Sequence, residues 1–152
     1  MLDLKYELLF EVVGEVEEPI HIGQTPRGYR VITPLVGGTV KGPKINGEAL
    51  AIGADWMLIR PDGYGELDVR STIKTDDGET IYSYYKGLLK IDMEIMARIQ
   101  NNEEVDPSEY YFRTTPTFET GSEKYGWLNQ IVSVGVGKLG NKKVCYKTYH
   151  IL

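Results

Sequence analysis

Apolar and polar residues alternate along most of this chain, with the period of two that marks half-buried strands. The alternation is cleanest over residues 66–75. Leu67, Val69 and Ile73 fall on one face, and Glu66, Asp68, Arg70, Thr72 and Lys74 on the other. Asp77-Gly78 is a hairpin signal, and residues 79–89 read as the returning strand. Residues 2–13 alternate too: Leu4, Tyr6, Leu8, Phe10 and Val12 share a face, blurred by Leu9 and Val13. Residues 19–28 read as an irregular loop. Residues 29–35 and 49–60 supply further extended pieces, punctuated by Pro34, Gly42-Pro43, Asn46-Gly47 and Gly53. Gly37-Gly38 reads as a bulge, or as a place where another group comes close to the backbone.

The period changes once. Ile91, Ile95, Met96 and Ile99 recur at helical spacing, Asp92 is an N-cap with Glu94 in the first turn, and Asn101-Asn102 ends the run. This predicts a helix over 92–102, with Met93 and Met96 as core filling. Strand spacing then resumes. Over 127–137, Leu128, Val132, Val134 and Val136 share one face; Trp127, Asn129, Ser133, Gly135 and Gly137 share the other. Gly140-Asn141 turns the chain into a closing strand over 143–151. About eight to ten strands and one helix predict a single all-β domain over 1–152. A closed antiparallel barrel is the expected form, because closure removes exposed edges.

Composition supports this and narrows the partners. Seventeen Gly and eleven Tyr in 152 residues suit a β chain with many turns. A net charge of −5 disfavours nucleic acid, which needs a basic face. No apolar run approaches the roughly 20 residues of a membrane-spanning helix. The N-terminal stretch carries acidic residues among its apolar ones, unlike a signal peptide. One cysteine, Cys145, allows no internal disulfide and suits the cytoplasm; on a predicted strand it reads as a small buried hydrophobe. His21 and His150 lie far apart in sequence, and no zinc spacing or glycine-rich phosphate loop is present, so neither metal nor cofactor is expected.

Candidate chemistry concentrates in residues 106–129, where three Tyr, two Phe and a Trp stand beside Arg113, Glu119 and Asn129. This reads as one wall of a pocket. Strand parity pairs Tyr111 with Arg113, Trp127 with Asn129, and Asp68 with Arg70, while Phe112 and Thr114 look away. If these polar faces turn inward, the barrel has a partly polar lumen of the kind that holds one small ligand. The apolar faces then need cover, and a homodimer is expected. If the apolar faces turn inward instead, Asp68 and Arg70 are a solvated face. Arg113 either holds a ligand carboxylate through its fork or pairs with Glu119. Asp55 is either a buried acid or a strand-end residue bonding its own backbone, and Arg60 with Asp62 is either part of a site or an ion-paired turn.

The motifs GADW, RPDG, ELDVR, TDDG, EYYFRTTPTFETG and YGWLN, spread over residues 37–137, together resemble the family grouped as domain of unknown function 3237. The resemblance implies a compact β-barrel with a lipocalin/calycin-like outline that associates as a dimer. It lends no catalytic residues. It does give weight to the polar positions inside the motifs: Asp55, Trp56, Arg60, Asp62, Asp68, Arg70, Arg113, Glu119, Trp127 and Asn129.

The expected function is binding of a small organic molecule with an aromatic or apolar body and a carboxylate or carbonyl. The expected ligand residues are Trp56, Arg60, Asp68, Arg70, Tyr111, Arg113, Glu119, Trp127 and Asn129. The alternative is a metal-independent isomerase, cyclase or lyase. There Asp55 or Asp68 moves a proton beside a carbonyl, and Arg or Tyr stabilises the charge that forms.

Overall fold

A computed structural model describes residues 2–152. Among the described residues there are ten strands. In chain order they are β1 (Tyr6–Val16), β2 (Ile20–Thr25), β3 (Gly28–Lys41), β4 (Gly47–Ala49), β5 (Ala54–Ile59), β6 (Gly65–Thr75), β7 (Thr80–Lys90), β8 (Tyr111–Glu119), β9 (Val132–Gly140) and β10 (Lys143–Ile151). Helix α1 (Met93–Gln100) lies between β7 and β8. Pairing runs β1–β10–β9–β8–β7–β6, then through β4 and β5 to β3, and β3 pairs back to β1. Because β4 and β5 both bridge β6 and β3, the ring is an eight-stranded closed antiparallel barrel. The remaining strand, β2, adds to β3 as a hairpin.

Each strand follows its sequence with local corrections. The β6–β7 hairpin forms as expected, turning at Gly78 with φ +93°. Helix α1 is capped as expected, the Asp92 carboxylate accepting from the Ile95 N–H at 2.9 Å. In β1 the register shifts between Leu8 and Phe10, so Leu9 and Phe10 are both buried. That bulge is the physical source of the blurred alternation. The stretch over 19–28 is not an irregular loop, because β2 pairs with the start of β3 across a turn ending at Gly28. Nor does β3 stop at Pro34, since it runs on to Lys41, between β1 on one edge and β4 and β5 on the other. Within it, a Cβ on Gly38 would stand 2.4 Å from the Val13 carbonyl oxygen, which is the close backbone approach expected there.

Which face turns inward differs from strand to strand. On β6 the inward residues are Leu67, Val69, Ser71, Ile73 and Thr75; on β8 they are Phe112, Thr114, Pro116 and Phe118. On β9 the small face turns inward, with Ser133, Gly135 and Gly137 buried and Val132, Val134 and Val136 exposed. The reason is on the neighbouring strand. A Cβ on Gly137 would meet three Phe112 ring atoms at 2.5–2.6 Å, and one on Gly135 would meet the Thr114 hydroxyl at 2.1 Å. Bulky β8 side chains use the space that the β9 glycines leave.

Apolar side chains fill the two ends of the barrel unequally. One cluster, including Phe10, Val40, Ile45, Ile81, Phe118 and Leu128, packs one end solidly. A second, including Leu67, Leu89, Phe112 and Ile99 of α1, lies beneath the helix at the other. Among the described residues no helix is long and apolar enough to cross a membrane.

Candidate functional site

Toward the α1 end the lumen is not filled. A cavity of about 860 Å³ opens there, walled by inward residues of β3, β5, β6 and β7 and bordered by Met96 and Ile99 of α1. Its body is apolar: Val31, Met57, Leu67, Val69, Leu89 and Phe112. Polar groups meet on one rung of the sheet. Thr33 pairs with Asp55, Asp55 with Val69, and Val69 with Tyr85, so strand parity turns all four side chains into the lumen. Tyr85 meets Tyr146 of β10 edge to face, with ring centroids 5.6 Å apart. Tyr85 lines the cavity, and Tyr146 lies behind it, packed on the filled end of the barrel.

Asp55 is the acid of this site. Its Oδ1 accepts a hydrogen bond from the Asp68 backbone N–H at 3.2 Å. Burial pushes its carboxyl from 3.8 up to about 6; that hydrogen bond pulls the other way, and the nearby Asp68 charge adds to the rise. Burial also holds the Tyr85 phenol well above its ordinary value, with Tyr146 and Asp55 adding to the effect. Tyr146 is pushed up to about 12 by burial, partly offset by its bond to Tyr85. Both phenols therefore stay protonated, and of the two it is Tyr85 that lines the cavity with the Asp55 carboxyl.

The mouth of the cavity is charged. Lys142 and Glu18 pair at 2.8 Å, joining the β9–β10 turn to the β1–β2 turn. The Asn141 amide donates to the Asn102 side-chain oxygen at 3.0 Å, tying the β9–β10 turn to the end of α1. His21 Nδ1 lies 3.0 Å from the Tyr29 hydroxyl. Among the described residues, the basic groups lining the cavity are His21, Lys142 and Lys143, all at this mouth.

Of the residues singled out in the sequence, the structure brings only Asp55 into the cavity. Asp68 and Arg70 turn outward on β6, and Arg70 lies over the Tyr84 ring at 5.4 Å. Tyr111 and Arg113 share a face of β8 as expected, but it is the outer one. Arg113 stacks on Tyr111 at 5.2 Å and donates to the Phe112 carbonyl rather than to Glu119, which is exposed further along the strand. Trp56 faces outward on β5, its neighbour in sequence to Asp55 facing in. Arg60 pairs with Asp62 in the turn after β5. Trp127 and Asn129 sit on a 3₁₀ turn, Gly126–Gln130, and not on a strand. Trp127 packs against the filled end beneath Lys44, and Asn129 makes two hydrogen bonds with the Thr120 backbone, at 2.8 and 2.9 Å. The pocket wall expected over 106–129 is thus mostly outer surface, because Phe112 and Phe118 need the interior more than Arg113 does.

Tyr85 and Tyr146 carry no distinguishing signal in the sequence. Tyr82, Tyr84 and Tyr85 stand within four residues, and only the inward series Ile81, Ser83, Tyr85 separates the third from the others.

The family described as protein of unknown function (DUF3237) matches residues 4–151. The chain belongs to this family. The DUF3237 match takes in every strand of the barrel and all residues that line the cavity. A UPF0311 protein of Clostridium acetobutylicum is 39% identical over 150 residues, covering 98% of this chain and 95% of that one. A solved conserved protein of unknown function from Rhodopseudomonas palustris superposes with a TM-score of 0.92 at 34% identity, over 100% of both chains. A solved beta-barrel like protein from Acinetobacter baumannii is also 34% identical, with a TM-score of 0.86 over 100% of this chain and 98% of that one.

Proposed function

We propose that the barrel binds one small, neutral organic molecule in its open end. The apolar body packs among Met57, Leu67, Leu89 and Phe112, and a hydroxyl or carbonyl group reaches Asp55 and Tyr85. One observation carries this reading: a carboxyl raised to about 6 stands against the mainly apolar walls of a cavity of about 860 Å³. That volume lies within the roughly 300–1,000 Å³ of small-molecule sites, and a few convergent polar groups on apolar walls are their usual chemistry. A ligand carboxylate fits less well than the sequence suggested. Arg70 and Arg113 lie on the outer surface, and an anion at the floor would face Asp55.

The test is saturation-transfer NMR with 2-naphthol and 2-tetralone as probes. Both should give saturable transfer that is lost in Val31→Trp, whose indole would occupy the cavity, and kept in Arg113→Ala. Transfer that survives Val31→Trp, or its absence with both probes, overturns the reading.

A further inference from the structure

A carboxyl among apolar walls, beside a phenol that stays protonated, is an arrangement for moving protons on carbon. We propose that the Asp55–Tyr85 rung catalyses proton transfer at a carbon next to a carbonyl, acting on neutral enolisable ketones of about two fused rings, in keeping with the cavity size. This rests on the ligand-binding reading above.

The geometry assigns each role. Asp55 and Tyr85 stand on β5 and β7, separated by the single strand β6, and share one rung through Val69. Two strand spacings place their Cα atoms roughly 10 Å apart. Both side chains point into the lumen, so a ketone lying over Val69 can meet the carboxylate at its α-carbon and the phenol at its oxygen. Met57 and Leu67 flank that position, and Tyr146 backs Tyr85 from across the barrel.

In the step, the Asp55 carboxylate takes the α-proton. The C–H electron pair becomes the new carbon–carbon π bond, and the carbonyl π pair moves to oxygen, where the Tyr85 hydroxyl donates to it. Asp55, now protonated, exchanges its proton with solvent through the open mouth and then delivers a proton, or in heavy water a deuteron, to the same carbon or to a conjugated one. Nothing is oxidised or reduced, and no co-reactant is consumed. A base that titrates near 6 is ionised at neutral pH yet stronger than an ordinary aspartate. A phenol held above its ordinary value does not lose its proton to that base.

The outward neighbour Asp68 acts on Asp55 in two ways: its backbone N–H donates to the carboxylate, and its side-chain charge pushes the Asp55 carboxyl up. The other titratable groups facing the cavity are Tyr29 on β3 and, at the mouth, Glu17, Glu18, His21, Lys142 and Lys143.

The experiment follows exchange of the C1 protons of 2-tetralone in heavy water by NMR. Wild-type protein should speed exchange on the order of 100-fold over buffer. The rate should rise as Asp55 ionises through pH 6 and then level off. Asp55→Asn should return it to the buffer rate, Tyr85→Phe should lower it at least about tenfold, and Arg113→Ala should leave it unchanged. A wild-type rate equal to buffer, or equal to that of folded Asp55→Asn, overturns the proposal. So does a profile flat from pH 4.5 to 8, which needs no variant at all. Saturation transfer on the same samples separates the two readings. Transfer without exchange leaves binding standing and removes catalysis; loss of both removes both.

Discussion

Replacing Asp55 by Asn should stabilise this protein at neutral pH and not at acid pH. The folded state raises the Asp55 carboxyl from 3.8 to about 6. A group raised on folding binds protons more tightly in the native state, so its contribution is greatest when it is protonated. That contribution is fully present below about pH 4 and is lost as pH rises through 6. The difference between 3.8 and about 6 corresponds to about 3 kcal/mol of penalty for carrying the charge at pH 7 and above. Asn keeps the oxygen that accepts from the Asp68 N–H, so the local hydrogen bond survives the substitution. For a chain of this length about 3 kcal/mol is roughly 6–12 °C in Tm. The assay is urea or thermal denaturation of both proteins from pH 4 to 8, read as a difference so that groups common to both cancel. The Asp55→Asn protein should gain on wild type between pH 4 and 7 and then hold a constant lead. Curves that run parallel across the whole range would refute a buried, raised Asp55, and the acid–base proposal with it.

Gly137→Ala should destabilise by about 1–3 kcal/mol, because its Cβ falls among Phe112 ring atoms at 2.5–2.6 Å; urea denaturation measures this. Asn129→Ala should cost about 1 kcal/mol and speed proteolysis near residues 120–130, since both hydrogen bonds to Thr120 are lost. Alkaline titration followed by tyrosine absorbance should show three of the eleven tyrosines, Tyr85, Tyr110 and Tyr146, ionising late, with Tyr146 near 12; Tyr85→Phe should remove one of the three late steps. Arg70→Ala with Arg113→Ala should change stability by no more than about 0.5 kcal/mol, as expected for outer-surface side chains, and leave probe binding intact.

The alternating pattern, the turn residues and one helical run were enough to read an all-β barrel and to place α1 and the β6–β7 hairpin, because these depend on near neighbours in the chain. Asp55 could be named only as one of two alternatives, a buried acid or a strand-end residue bonding its own backbone, because local pattern places it at the start of a strand without saying which way it faces. What period two cannot decide is which face of a strand turns inward. On β6 and β8 the bulk of Val69, Ile73, Phe112 and Phe118 took the interior, and Arg70 and Arg113 were left outside. On β9 the opposite happened: three valines face out and two glycines face in, because Phe112 and Thr114 on the adjoining strand already occupy that space. That choice belongs to neighbouring strands well separated in sequence, and no local pattern contains it. The same holds for the contact between Tyr85 and Tyr146. Tyr85 and Tyr146 lie sixty-one positions apart (146 − 85) and meet only because closure of the ring brings β10 opposite β7. The sequence by itself determined the elements and their hydrophobic content; the tertiary structure decided that one carboxyl and one phenol, on strands two apart, would line space the core does not fill.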